Sequence, residues 1–330
     1  MRSLSLRLAP LAALLLAIGC WLPVSKSSSL PTKAAPPLSE ASPLAASSEN
    51  PLLRPWAGPF GGVPAFDQVA VADFEPALEA AMNANLAEIH SIANSPEPPT
   101  FANTIEAMER AGRPLQRVTA VYGVWSSTMN SPEFQAVERT MAPRLAAFTD
   151  KITQNVALFR RIEAVYNAPD KATALTSEQQ RLAWFYHNNF VRAGARLDET
   201  AKKRVAEINQ QLAALYTRFS QNVLADETNL YLTLDSEADL AGLPQSLKDG
   251  AAQAAKQKGI PGKWVILNTR SAMEPFLTFS DRRDLREKAF NLFVNRGDNG
   301  GDHDNNAIIT DILMLRAERA KLLGYPRHAH

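Results

Sequence analysis

Cysteine is almost missing from this chain: Cys20 is the only one in 330 residues. No intramolecular disulfide can form, so packing must supply the stability. Histidine is scarce as well. There are five (His90, His187, His303, His328 and His330), and none is followed by glutamate, so the sequence contains no H-E-x-x-H zinc helix. That motif works because histidines at i and i+4 share one helix face. A G-x-S-x-G elbow, a phosphate loop and a dinucleotide glycine fingerprint are also lacking. Charge of one sign is lacking too: the formal net charge is +1, with Lys and Arg interspersed among Asp and Glu. No basic stripe exists, which argues against nucleic acid as a partner. The apolar run at residues 8–18 is too short for a comfortable transmembrane helix.

That run has a different reading. Arg2 and Arg7 precede it, and Ala17, Ile18 and Gly19 lead to Cys20. A positive end, an apolar centre and small residues form a signal peptide over residues 1–20. Cys20 stands where a lipoprotein signal places its acylated residue, so it is the expected lipid attachment site; cleavage and release is the rival outcome. The expectation is export to the cell envelope or periplasm, touching a membrane only through a lipid anchor. Residues 21–49 are rich in Ser, Pro and Ala with little aromatic content, and read as a flexible tether. Residues 50–71 carry Trp56, Phe60 and Phe66 among glycines and prolines. These read as an extended strap over a helical body.

From Asp73 onward the pattern is helical. Phe74, Leu78, Ala81, Met82, Leu86, Ile89 and Ile92 follow a period of 3.6. Shorter helices are expected at residues 104–111 and 114–129. Ser131-Pro132-Glu133 is a strong start signal, and Pro143 should kink the helix that follows. Another helix is expected at residues 155–166. Thr176 with Gln179 forms a capping box before an aromatic run. After Asp198, helical spacing persists for almost thirty residues through Val205, Ile208, Leu212, Leu215, Phe219 and Val223. Two short stretches, residues 229–234 and 263–267, alternate as strands do and flank a helix at residues 243–258. They can pair as a small ribbon.

Residues 276–325 predict two helices around a glycine-rich acidic loop. Ser280 is the expected N-cap of the first, with Asp281 and Asp284 in its opening turn. Asp304, Asn305 and Asn306 offer caps for the second, whose wide apolar face is Ile308, Ile309, Ile312, Leu313 and Leu315. Gly324, Tyr325 and Pro326 predict a Schellman-type stop. The loop is not a calcium hand. Counted from Asp302, position 6 is Ala307 and position 12 is Leu313, where glycine and glutamate are needed. A tight interhelical turn is the better reading.

Candidate site residues are few. His90 reads as surface and His187 as a satisfied, partly buried histidine. His328 and His330 offer at most adventitious metal binding. Arg270, Arg282, Arg283 and Arg296 gather in one stretch of sequence, and either pair for packing or line a peptide channel.

That stretch also carries a resemblance. NTRSAMEPFLTFSDRRDLREKAFNLFVNRGDNGGDHDNNAIITDILMLRAERAKLLGY resembles part of the peptidyl-dipeptidases of the thimet-oligopeptidase-like zinc metallopeptidase family. So do ENPLLRPWAGPFGGVPAFDQV, SSTMNSPEFQAVERTMAPRLAAF and RLAWFYHNNFVRAGARL, in the right order. The likeness runs from about Glu49 to the last residue. It implies a mainly α fold at residues 50–330, a large multi-helix body with a small β-ribbon that forms one wall of a peptidase channel. It also implies that this chain is the N-terminal, non-catalytic half of an exported zinc metallopeptidase, one that releases C-terminal dipeptides from oligopeptides. Zinc belongs to the complete family member, and the expected partners are oligopeptide substrates and the missing C-terminal catalytic half. No catalytic or zinc-binding residue carries over, because the matching positions do not occur here. The other expectation is a free-standing helical lipoprotein that binds peptides or a partner without catalysis.

Overall fold

A computed structural model describes residues 50–59 and 62–330, all within the compact unit Pro43–His330. The signal peptide, the tether and Cys20 lie outside the described residues. Among those described, the fold is mainly α with one two-stranded antiparallel sheet.

The strap comes first. Leu52 and Leu53 are buried, and Phe66 stacks on Trp125 with ring centroids 5.9 Å apart. Asn50 ties the strap down by donating from its side chain to the Asp73 carbonyl at 2.9 Å. Helix α1 (Phe74–Ala93) then buries Phe74, Leu78 and Ala81. A π-helical segment, Phe101–Glu106, runs into the short α2 (Ala107–Arg110). The expected helix at residues 104–111 thus begins π-wound and ends as α-helix, and the π segment starts at the Thr100–Asn103 capping box.

Helix α3 (Arg113–Thr128) and helix α4 (Pro132–Thr153) follow. Ser131 caps α4 by accepting from the Phe134 N–H, an interaction worth about 1 kcal/mol. The helix continues through Pro143 as one element of 22 residues. Phe74, Tyr122, Trp125 and Phe134 form an edge-to-face aromatic cluster that joins α1, α3 and α4 with the strap. Burying one such ring stabilises by roughly 1.5–3 kcal/mol.

Helices α5 (Val156–Tyr166) and α7 (Ser177–Arg192), with the short α6 (Lys171–Ala174) between them, follow; α5 and α7 build a second core with the end of α1. The Thr176–Gln179 capping box forms as expected. Helix α8 (Glu199–Asn229) is the spine: 31 residues, capped by Asp198. It spans about 46 Å at 1.5 Å per residue, and it packs against α4.

Strand β1 (Tyr231–Leu234), helix α9 (Gln245–Gln257) and strand β2 (Trp264–Leu267) form the ribbon. Its register pairs Leu232 with Ile266 and Leu234 with Trp264. A helix the sequence reading passed over comes next: α10 (Arg270–Phe279), with Pro275 inside it. Met273 and Phe276 are fully buried under the ribbon.

Helix α11 (Arg283–Val294) begins two residues later than a Ser280 cap would place it. Ser280 is instead buried at the end of α10, and its hydroxyl accepts from the Arg282 N–H in a tight turn. Helix α12 (Asn306–Leu322) ends as expected. Gly324 takes φ of +81°, and the Tyr325 N–H reaches the Ala320 carbonyl at 2.8 Å, closing a Schellman motif.

Candidate functional site

Helix α8 places the side chains that build this region. Its apolar stripe runs Ile208, Leu212, Leu215 and Phe219, and then continues at the same spacing as Asn222 and Asp226. Both of these polar residues are buried. Asn222 donates to the Asn305 amide oxygen at 2.9 Å, and Asn305 donates to the Phe219 carbonyl at 3.1 Å. One Asp226 oxygen accepts from the Gly297 N–H and from Asn299, each at 2.8 Å. The glycine-rich acidic loop is therefore pinned to the spine by two side chains of α8. Gly297 has to be glycine: its φ is +76°, and a Cβ there would lie 2.6 Å from the Asn305 amide nitrogen. Asp304 receives the Asn306 N–H at 2.8 Å and the Gly300 N–H at 3.0 Å, which closes the turn as a structural feature.

The four arginines separate into two kinds. Arg282 bridges Asp239 and Asp284, and its hydrogen bond holds the Asp284 carboxyl below the usual carboxylate range. Burial opposes the charge on Asp239, but the Ser236 and Asp235 N–H groups, then the Ser236 hydroxyl and Arg282, hold it low as well. Arg296 pairs with Glu227 of α8, donates to the Phe293 and Asn268 carbonyls, and lies 4.2 Å from the Phe293 ring centroid. Arg270 makes an exposed i,i+4 pair with Glu274. Arg283 is exposed and forms no ion pair among the described residues. Arg282 and Arg296 thus serve different elements.

Apolar surface does collect nearby. On α12 only Ile308 and Ile312 of the expected face are buried; Ile309 is 42% exposed, and Leu313 and Met314 are 59% exposed. Phe290 and Val294 of α11 are also about half exposed. Between α8 and α12 runs an open groove of about 570 Å³, floored by Ala214, Leu215, Met314 and Leu315, with Gln211, Asp311 and Glu318 at its edges. Arg204 spans the two helices there with a two-pronged contact to Glu318, at 2.7 and 2.9 Å.

A metal does not fit this donor set. No group of three or more His, Cys, Asp or Glu side chains converges among the described residues. His90 is exposed beside Asn94 on α1. His187 stacks on Tyr166 at 4.2 Å, and its Nε2 lies 3.3 Å from the Arg196 guanidinium. Burial and that cation both depress its pKa, so it is a neutral packing residue beside a positive charge.

Sequence reasoning missed the buried polar positions Asn222, Asp226, Asn305, Asn268 and Asp150. A signal for two of them was available: polar residues that continue an apolar stripe at its own spacing.

Comparison with characterised proteins fits this picture. No family model matches the chain. It is 34% identical over 282 residues to the dipeptidyl carboxypeptidase of Salmonella typhimurium, covering 86% of this chain and 41% of the relative. For the dipeptidyl carboxypeptidase of Escherichia coli the identity is 35% over 266 residues, covering 81% and 39%. The organellar oligopeptidase A of Arabidopsis thaliana is 30% identical, covering 86% and 35%. The chain is therefore a homologue of peptidases. More narrowly, its homologues are named dipeptidyl carboxypeptidase and oligopeptidase A, of the thimet oligopeptidase family, and it spans about two fifths of the length of the dipeptidyl carboxypeptidases it matches.

Proposed function

We propose that this chain is the N-terminal, non-catalytic part of an exported zinc peptidase that releases dipeptides from the C-termini of oligopeptides. The observation that carries the reading is the match itself, which takes in over four fifths of this chain but about two fifths of the dipeptidyl carboxypeptidases. Zinc and its ligands would belong to polypeptide outside the described residues, among which no donor set suits the ion. What these residues supply is a wall. The helices around the spine are rigidly capped, and the α8–α12 groove and the exposed face of α12 are apolar surface of the kind that a covering polypeptide or a peptide buries. Arg270 and Arg283, free of packing roles, are the arginines in this reading that can face a peptide. Export and acylation at Cys20 complete the proposal.

The test is peptide cleavage with mass-spectrometric identification of products. The purified chain should be inactive and should retain no stoichiometric zinc. Co-expressed with the remainder of a dipeptidyl carboxypeptidase, it should release C-terminal dipeptides. Cleavage by the chain alone, with one tightly held zinc, would overturn the assignment.

A further inference from the structure

Helix α12 has the sequence of an interior helix. Seven of the nine residues 307–315 are apolar, and Thr310 and Asp311 are the two exceptions. At 3.6 residues per turn the apolar side chains are spread around the whole axis, and a helix that is apolar all round is ordinarily buried on all sides. Here it is buried on one. Ile308 and Ile312 close on Ile208 and Leu212 of α8. Ala307, Ile309, Leu313 and Met314 are exposed.

The uncovered part of α12 is not one patch. Ile309 and Leu313 lie on one flank, about 100° around the axis from the line of Ile308 and Ile312. Asp311, Met314, Leu315 and Glu318 line the α8–α12 groove. They lie on the other flank, about 90° from the same line. The two flanks look in nearly opposite directions, with the α8 contact between them.

This geometry selects among occupants. The apolar stretch is too short to span a bilayer, and a membrane surface would meet one flank only. A second copy related by a two-fold axis docks through one self-complementary patch, which leaves the opposite flank in water. A long polypeptide can pass along both. The dipeptidyl carboxypeptidases have the length for it, since about three fifths of each lies outside the match to this chain.

We propose, on the reading that this chain is part of a longer peptidase, that α12 is a core helix shared with the rest of that polypeptide. One apolar segment of the remainder fills the α8–α12 groove, and a second covers Ile309 and Leu313. The remainder thus straddles α12 and does not merely rest against one face of it.

The experiment is thiol labelling of the full 330-residue chain. It is done on the chain alone and co-expressed with the part of the Escherichia coli dipeptidyl carboxypeptidase that it does not match. Cys20 is the only native thiol, so single cysteines are placed in a Cys20→Ser chain. Leu313→Cys reports one flank and Met314→Cys the other; Met129→Cys, exposed where α3 gives way to α4, is the control. Both α12 thiols should react at least about tenfold more slowly in the co-purified pair, because labelling of a covered site waits for local opening. The control should be unchanged. Leu313→Glu and Met314→Glu, each made alone, should each weaken co-purification about tenfold, because burying an unpaired carboxylate is costly. Neither should move the unfolding midpoint of the isolated chain. Dipeptide release by the pair is measured in parallel and tests the parent reading separately. A pair that associates and cleaves while either α12 thiol stays fully reactive overturns the proposal and leaves that reading standing. No association overturns both. Slow labelling of both thiols in the chain alone gives the flanks to a second copy, and that too overturns the proposal.

Discussion

Asp150 shows how one atom-level detail reaches a measurable property. Burial pushes its carboxyl up to about 6, against the help of Asn209 and Arg319. In the unfolded chain the same group titrates near 3.8. Between those values the folded state binds more protons than the unfolded state, so Asp150 lowers stability as pH rises from about 4 to about 6. Asp150→Asn keeps the shape and removes the charge. Its unfolding midpoint should therefore vary less with pH over that window, and should equal or exceed that of the parent at pH 8. Chemical denaturation across a pH series measures this, and a parallel pair of curves would contradict it. Position 150 could not be singled out from sequence. An aspartate within an amphipathic helix looks solvated until the neighbouring helices are in place.

At the scale of elements, legibility followed local chemistry. Helix ends marked by side-chain caps could be read directly: Ser131 and Thr176 each accept the backbone N–H expected of them, and Asn155 and Asp198 cap their helices in the same way. The ribbon was legible for the same reason, since alternation is a local signal. Errors arose where a partner distant in sequence decides the outcome. Helix α10 contains Pro275, which reads as a break, yet burial of Met273 and Phe276 beneath the ribbon holds the turn together. Ser280 has the composition of a cap, but it is drawn into the core and loses that position to the turn after it. The face of α12 was read too widely, because periodicity cannot say which apolar residues meet α8. Leu313 and Met314 face outward, and this yields a direct expectation. Leu313→Glu with Met314→Glu should leave the unfolding midpoint within about 0.5 kcal/mol of the parent, as for surface substitutions. The double variant should also reduce self-association in sedimentation. A cooperative loss of stability would mean that the face is packed rather than open.

For the whole molecule, the family could be read from several ordered blocks of sequence, while the site could not. Functional residues announce themselves when one short motif carries them, as a zinc helix would. The proposed wall would be spread over α8, α11 and α12, and no short stretch encodes it. The amino-terminal reading makes its own prediction. Cys20→Ser should move the protein from the membrane fraction to the soluble envelope fraction, with the mature terminus read by mass spectrometry. If the variant remains membrane-bound, acylation at Cys20 is not the anchor.

The pinned loop before α12 has a consequence for protease resistance. The Arg296–Gly297 bond, in a run of glycines and acids, would be a natural choice for trypsin. Yet the Arg296 side chain is committed to Glu227, the Gly297 N–H to Asp226, and the Gly297 carbonyl to the Asn305 N–H at 2.8 Å. Cleavage needs an extended backbone and a free arginine, so this segment must first open locally. Native chain should therefore survive trypsin at this bond, while Asp226→Ala should be cut there early, as fragment masses would report. A stretch with the composition of a hinge would then behave as one of the last places where the chain comes apart.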